Sequence, residues 1–313
     1  MFSYIQTQWQ RGRKIYGNHS WRETRRTFLH TMRSIRNKRE INILEEYFSK
    51  YEPDPTLLKH QVGLFELMTR FFLFKSSTPQ ERLQAVIDHF DYIKSIFTDE
   101  AIREMYSVDK DNFYDDVSRM KRGFVVWESE DPDMEARLYY GAGQRKEGLL
   151  TLLLTLEHQG IYHANFRFGK GFGGEPAMWI GTVQGYKDGL DNAKIVTKKM
   201  FGYRPKNFIM FLLRHIANIC KVQSIYAVSD EGFYANTHLV RGHRAKVAKL
   251  DPLWQESGGQ ICDDERFYKI PLEEYRKPIE EIKSQKRSQY RKRYELLDQY
   301  EREIQQHMES IVK

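Results

Sequence analysis

The side chains able to act on a substrate gather in the second half of the chain, around runs that read as strand ends and loops. Glu157, His158 and His163 sit in GLLTLLLTLEHQGIYHANFRFG, with Arg167 four residues further on. Gln184 and Gly185 end MWIGTVQG, Lys187 follows in the next loop, Ser229, Asp230 and Tyr234 follow VQSIYAV, and Arg241, His243 and Arg244 lie beyond. A glutamate or histidine in hydrogen-bond reach of an amine or hydroxyl can take its proton, a tyrosine can return one, and arginine fixes anions. Each group also has a plainer structural reading. A lone strand histidine is commonly a satisfied core residue, glycine at a strand end supplies a positive φ, and SDEGFY serves equally as a turn and helix cap. No metal site is expected: His238 and His243 stand five apart, not four, with no acidic neighbour. Cys220 and Cys262 lack zinc spacing and read as two unpaired thiols. Nucleophile elbow, Walker loop and Rossmann fingerprint are all missing.

The elements that must carry these residues follow from periodicity. Residues 40 to 107 repeat apolar side chains every three or four positions, in INILEEYF, LLKHQVGLFELMTRFFLF and ERLQAVIDHFDYIKSIF, which predicts helix throughout. Thr78, Pro79 and Glu81 mark one helix start, and the phenylalanines from Phe65 to Phe74 read as helix core. From Gly123 the texture turns to β-branched and aromatic runs broken by Gly, Pro and Asp, which predicts neighbouring, mostly antiparallel strands. Pro205 opens a helix that is apolar on almost every side, a buried strand SIYAVSD follows, then a helix ending at Gly258 and Gly259 and a closing strand. Residues 276 to 313 read as one long helix, with Tyr290, Tyr294, Leu297, Ile304, Met308 and Ile311 as a seam against its own body or a second copy. The basic cluster from Lys286 to Arg293 reads as phosphate-binding or simply solvated.

At 313 residues and 40% hydrophobic composition the chain can bury a large core. It shows no apolar run long enough to span a membrane and no signal-peptide h-region at the N-terminus, so a cytoplasmic location is expected. The net charge of +7 is uneven: residues 1 to 39 carry +9, residues 276 to 313 carry +3, and the body between is net acidic. Within the arm, Trp21, Phe28, Met32 and Ile35 recur at helical spacing among arginines, and Ser20 with Glu23 forms a capping-box pattern. Such a basic amphipathic helix suits an anionic membrane surface, peripheral to the inner membrane, or a phosphate-rich partner. The alternative is a helix that packs on its own body through the apolar stripe and leaves its arginines solvated.

IGTVQG at 180 to 185, RPKNFIMFLLRHIA, SIYAVSDEGFY at 224 to 234, WQESGG at 254 to 259, FYKIPL at 267 to 272 and KRSQYRKRYELLD at 286 to 298 together resemble the VirK/YbjX family of bacterial proteins, over about residues 20 to 300. That resemblance implies an association with virulence and with resistance to cationic antimicrobial peptides, and it transfers no catalytic residue. The order strand, loop, buried helix, strand, helix, strand is also similar to the second half of the GNAT acyltransferase fold. This likeness implies a splayed central strand, MWIGTVQG, and a loop and helix N-terminus that receive a pyrophosphate. It places Gln184, Gly185, Lys187, Ser229 and Asp230 toward a donor, His163 or Glu157 as base, Tyr234 as acid to a departing thiolate, and Arg167, Arg241 and Arg244 toward substrate. The sequence departs from the GNAT pattern in its phosphate loop: GYKDGLDNAK lacks the usual Gln/Arg-x-x-Gly-x-Gly/Ala spacing, and IVTKKMFG intervenes before the buried helix. This departure speaks against conventional acetyl-CoA binding, and the expected donor is an acyl-carrier-protein thioester or another acyl-CoA.

The expected fold is α+β: a basic arm (1–39), a helical region (40–120), a mixed, mostly antiparallel GNAT-like sheet with packed helices (121–275) and a long C-terminal helix (276–313). Three functions fit. One is an acyl or aminoacyl transferase acting on an envelope component or peptide. A second is a non-catalytic envelope-stress factor working through its terminal helices. The third, a nucleic-acid binder, is opposed by the net-acidic body and the lack of a binding motif.

Overall fold

The structure is a computed structural model that describes residues 2–107, 123–186, 189–236 and 249–313. Local chemistry sets many element boundaries. α1 (Phe2–Tyr16) and α2 (Trp21–Arg36) form a hairpin, and α2 starts at a complete capping box: Ser20 Oγ accepts the Glu23 N–H while the Glu23 carboxylate accepts the Ser20 N–H. Thr78 and Glu81 repeat the device at the start of α6 (Pro79–Ile96), with Pro79 where its missing N–H costs nothing. Between them lie α3 (Lys38–Ser49), α4 (Leu57–His60) and α5 (Leu64–Leu67); α7 (Asp99–Met105) follows α6.

Continuous helix over LLKHQVGLFELMTRFFLF is not what forms. Only the single turns α4 and α5 appear, and the chain then runs irregularly to α6, with positive φ at Leu73 and Ser76. Of the side chains expected in the core, Phe65, Met68, Phe72 and Phe74 are buried, with Leu73, whereas Phe71 is 42% exposed. An apolar stretch buried on almost every side has too little solvent face to hold a helical period, so tertiary packing overrides the pattern.

The sheet has eight strands in the order β1-β2-β3-β4-β5-β6-β8-β7. β1 (Phe124–Glu130), β2 (Asp133–Tyr139), β3 (Leu150–Leu156), β4 (Gln159–Lys170) and β5 (Pro176–Gly185) form an antiparallel meander. α8 (Leu190–Lys199) and α9 (Pro205–Ile219) then cross over to β6 (Ser224–Val228), which lies parallel to β5. After α10 (Asp251–Glu256), the short β7 (Gln260–Ile261) and β8 (Phe267–Ile270) close the far edge, β8 against β6. One face is apolar and carries Leu152, Leu154, Ala164, Phe166, Phe168, Met178 and Ile180. α6 covers it through Tyr92, 5.3 Å from the Phe168 ring, and α9 through Phe208, 4.8 Å from Trp127.

α11 (Ser284–Glu309) is the long C-terminal helix, shorter than 276–313 at its start. Its seam turns inward: Leu297, Tyr300, Ile304 and Met308 are buried, and Tyr300 lies 4.6 Å from Trp127, whose indole N–H donates to Glu303. One apolar cluster runs from Ile41 to Ile311, so the helical region, the sheet and the last helix share a core. No helix among the described residues is long and apolar enough to cross a membrane.

The centre of the sheet forks. β5 and β6 pair over four positions, from Ala177↔Ser224 to Ile180↔Ala227, while β5 continues beside β4 to Gly185. Gly181 is the extra residue of a bulge, since Asn165 faces Thr182 and Phe166 faces Ile180. A Cβ on Gly181 would stand 1.7 Å from the Glu147 carbonyl oxygen, and one on Gly148 would stand 2.4 Å from the Phe166 nitrogen. Gly181→Ala should therefore cost ~1–3 kcal/mol in a urea or thermal melt. Gly185→Ala, whose added carbon meets only the Tyr162 ring at 3.3 Å, should change stability little.

Candidate active site

A narrow cleft of about 10 Å³, room for a single water-sized group, lies at the fork, between Gly181 of β5, Val228 at the end of β6, Phe74 and Phe267. Two ionisable side chains line it, Glu147 and Arg167.

Glu147 is held from both sides along its backbone. The Lys146 carbonyl accepts the Leu73 N–H at 2.7 Å, the Leu149 N–H donates to the Phe166 carbonyl at 2.8 Å, and the Leu149 carbonyl accepts the Tyr106 hydroxyl at 2.8 Å. Tyr106 in turn accepts from His89, whose other ring nitrogen accepts the Phe168 N–H at 3.1 Å; that bond fixes the proton on Nε2. The Glu147 carboxylate accepts the Asn165 side-chain N–H at 3.0 Å, and the Asn165 oxygen accepts the Thr151 hydroxyl at 2.8 Å. Burial pushes the Glu147 pKa up to about 7, against the downward pull of Asn165 and Lys146. A carboxyl poised there exchanges protons readily at neutral pH.

Arg167 lies in register with Trp179, and its guanidinium sits 4.8 Å over that ring. It is 9% exposed and has no hydrogen-bond or ion-pair partner among the described residues. Burial lowers its pKa to about 10 while Asp88 pulls the other way, so it stays cationic at neutral pH. A buried cation that makes no contact ion pair is costly and favours an anionic guest.

His163, Asn165 and Arg167 alternate along β4 and so share one face, across from Gln184, Thr182 and Trp179 of β5. His163 faces Gln184 directly. Both its ring nitrogens are buried without a partner among the described residues, and burial lowers its pKa to about 4, leaving a neutral imidazole. Gln184 donates to Thr182 at 3.1 Å, and Gly185 is exposed where β5 ends.

The other residues singled out from sequence lie elsewhere. Glu157 is exposed in the two-residue β3–β4 turn with His158, both at positive φ, and the length of β3, on the order of 20 Å, separates it from Glu147. Ser229 is occupied in its own turn, donating to the Glu265 carbonyl and accepting the Gly232 N–H; the Asp230 carboxylate accepts the Leu250 N–H. These two brace the exit of β6. Tyr234 packs edge-on against Phe72 at 5.6 Å. Lys187, Arg241 and Arg244, with His238 and His243, lie outside the described residues. No cluster of three or more metal-ligating side chains occurs among the described residues. Glu147 and Asn165 escape a reading by sequence, although the period-two series His163, Asn165, Arg167 inside an apolar strand signals a polar buried face.

Comparison with known proteins places most of the chain. The profile described as "Protein of unknown function (DUF535)" matches residues 19–306. The chain is similar to "Uncharacterized protein YbjX" of Escherichia coli (strain K12), 34% identical over 169 residues, 48% of this chain and 49% of that protein. It is also similar to two uncharacterized proteins of Haemophilus influenzae (strain ATCC 51907 / DSM 11121 / KW20 / Rd), 33% identical over 136 residues (41% and 43% of the two chains) and 27% over 180 (56% and 58%). The matches span about half the length of these relatives. No solved structure matches. With residues 19–306 matched, the chain belongs to the YbjX-type DUF535 family of proteins of unknown function.

Proposed function

We propose that this protein is an acyl or aminoacyl transferase with a GNAT-like arrangement, acting on an anionic acceptor such as an envelope component or peptide. The observation that carries the reading is the fork: a parallel pair of central strands that parts after Ile180, with a carboxyl of pKa about 7 and an unpaired arginine at its mouth. Past Gly181, β5 is paired on one side only among the described residues. Its free N–H and C=O groups suit an extended, amide-bearing chain such as the pantetheine arm of an acyl-CoA or acyl-carrier-protein thioester. In this scheme the acceptor's amine or hydroxyl attacks the thioester carbonyl and Glu147 takes the nucleophile's proton. The C–S bond breaks, and the departing thiolate recovers a proton from Glu147 or water. Arg167 holds the acceptor's anionic group, and neutral His163 with Gln184 lines the donor side. A second reading, a non-catalytic envelope-stress factor, is favoured by the exposed apolar stripe of α2 and requires that cleft substitutions leave the phenotype intact.

The test is thiol release from a panel of acyl-CoAs and acyl-carrier-protein thioesters. Glu147→Gln should lower kcat by about 10²-fold or more, and the wild-type rate should climb with pH through about 7 and then level off. A full rate in Glu147→Gln, or no thioester that raises the melting temperature of the wild type, overturns the proposal. Arg167→Gln should raise KM for the acceptor roughly tenfold or more, the loss of one charge-assisted hydrogen bond, with a smaller change in kcat.

Glu147 also leaves a signature independent of activity. Its folded pKa lies above the ordinary 4.5, so the folded state keeps a proton that the unfolded state has lost. Its contribution to stability is present below about pH 4.5 and is lost as pH rises through about 7. Glu147→Gln should therefore raise the melting temperature relative to wild type at pH 8 and not at pH 4; equal differences at both would show that the carboxyl is not held at a raised pKa.

A further inference from the structure

Helices at the surface of a folded body normally bury their apolar stripe. α2 is turned the other way. Trp21, Arg25, Phe28, Met32 and Arg36, at steps of four, three, four and four, form one outward face, with Trp21 80%, Phe28 53% and Met32 50% exposed. The buried side is Thr27, His30, Thr31 and Ser34. It presses on α1 so closely that a Cβ on Gly12 would stand 2.9 Å from the Thr27 methyl. The seam also encloses the Gln8 amide and the Thr27 hydroxyl, which have no partner among the described residues. A small, polar interior with apolar side chains outside is the packing of helices that meet hydrocarbon, and the many arginines place such a helix at the interface and not across it.

The charge around the stripe chooses the partner. Arg22, Arg25 and Arg36 are exposed, and no arginine of α2 has a carboxylate within ion-pair distance among the described residues. Glu23, the only acid in residues 1 to 39, is taken up by the backbone N–H groups of His19 and Ser20. A second copy would bring two arms of +9 together, and a nucleic acid would leave Trp21, Phe28 and Met32 without an apolar environment.

We infer that the α1–α2 hairpin docks the protein on an anionic lipid surface, with Trp21, Phe28 and Met32 entering the acyl boundary while Arg25 and Arg36 meet headgroup phosphates. This does not rest on the transferase reading. The experiment is co-sedimentation of the full chain with vesicles of equal parts phosphatidylglycerol and phosphatidylcholine, against pure phosphatidylcholine. Binding should require the anionic lipid and weaken with salt. The combined Trp21→Ser, Phe28→Ser and Met32→Ser variant should lose it with only a small drop in melting temperature, because all three side chains are at least half exposed. Arg25→Gln with Arg36→Gln should weaken it about tenfold or more. Undiminished binding by the serine variant, equal binding to both vesicle types, or a duplex DNA that binds with the same dependence on the three apolar residues overturns the inference. So does a stripe-dependent dimer in solution without vesicle binding.

Discussion

The cleft exists because two glycines leave room for one stretch of backbone. Gly148 and Gly181 let the segment carrying Glu147 lie directly on strands β4 and β5, where any side chain would meet main chain. The bulge lies at the same place, and there the pairing of β5 with β6 has ended, next to the end of β6 at Val228. A strand that loses its neighbour inside a fold leaves N–H and C=O groups that must find partners. The fork thus combines an opening, a hydrogen-bonding edge and a carboxyl held at the opening's rim.

The two faces of the sheet divide the work. Phe166, Phe168, Met178 and Ile180 face α6 and α9 and supply apolar burial, a term of roughly 1.5–3 kcal/mol per large side chain. The opposite face hides His163, Asn165 and Arg167 from water and satisfies them unevenly: Asn165 is bonded on both ends of its amide, whereas His163 and Arg167 have no partner among the described residues. Stability built on one side lets the other carry groups that are individually unfavourable, which is where a functional site is expected to break the rules of a core.

How far the sequence discloses this depends on where the information sits. The α+β class, the strands from Phe124 to Gly185, the buried helix opened by Pro205 and the two capping boxes are local, and each is readable from residue type and period. LLKHQVGLFELMTRFFLF misleads because burial on almost every side erases the contrast that a period needs. His163, Arg167 and Gln184 can be singled out as polar residues in apolar strands, and the structure sets them on one face. Glu147 cannot, since its environment comes from a bulge, a register and two glycines distant in sequence. The stripe of α2 is plain in sequence, but which way it faces is decided by how tightly Gly12 can approach Thr27.

Beside the Arg11–Glu45 ion pair and the Arg11 guanidinium over Phe65, the arm is tied to the body through a buried charge. Tyr16, the last residue of α1, donates to Glu66 at 2.5 Å, and Glu66 is clasped by Arg145, two residues before Glu147. Although burial pushes the Glu66 carboxyl up, Arg145, Tyr16 and Arg70 together hold its pKa below the ordinary value. Deleting the arm would remove a donor from this carboxylate, uncover the helices beneath and loosen the ground on which the cleft's own acid stands. A truncation is thus a lesion in two places, and a phenotype that follows it does not locate the function in the arm. Only substitutions at outward-pointing positions separate the part played by this surface from the part played by the cleft.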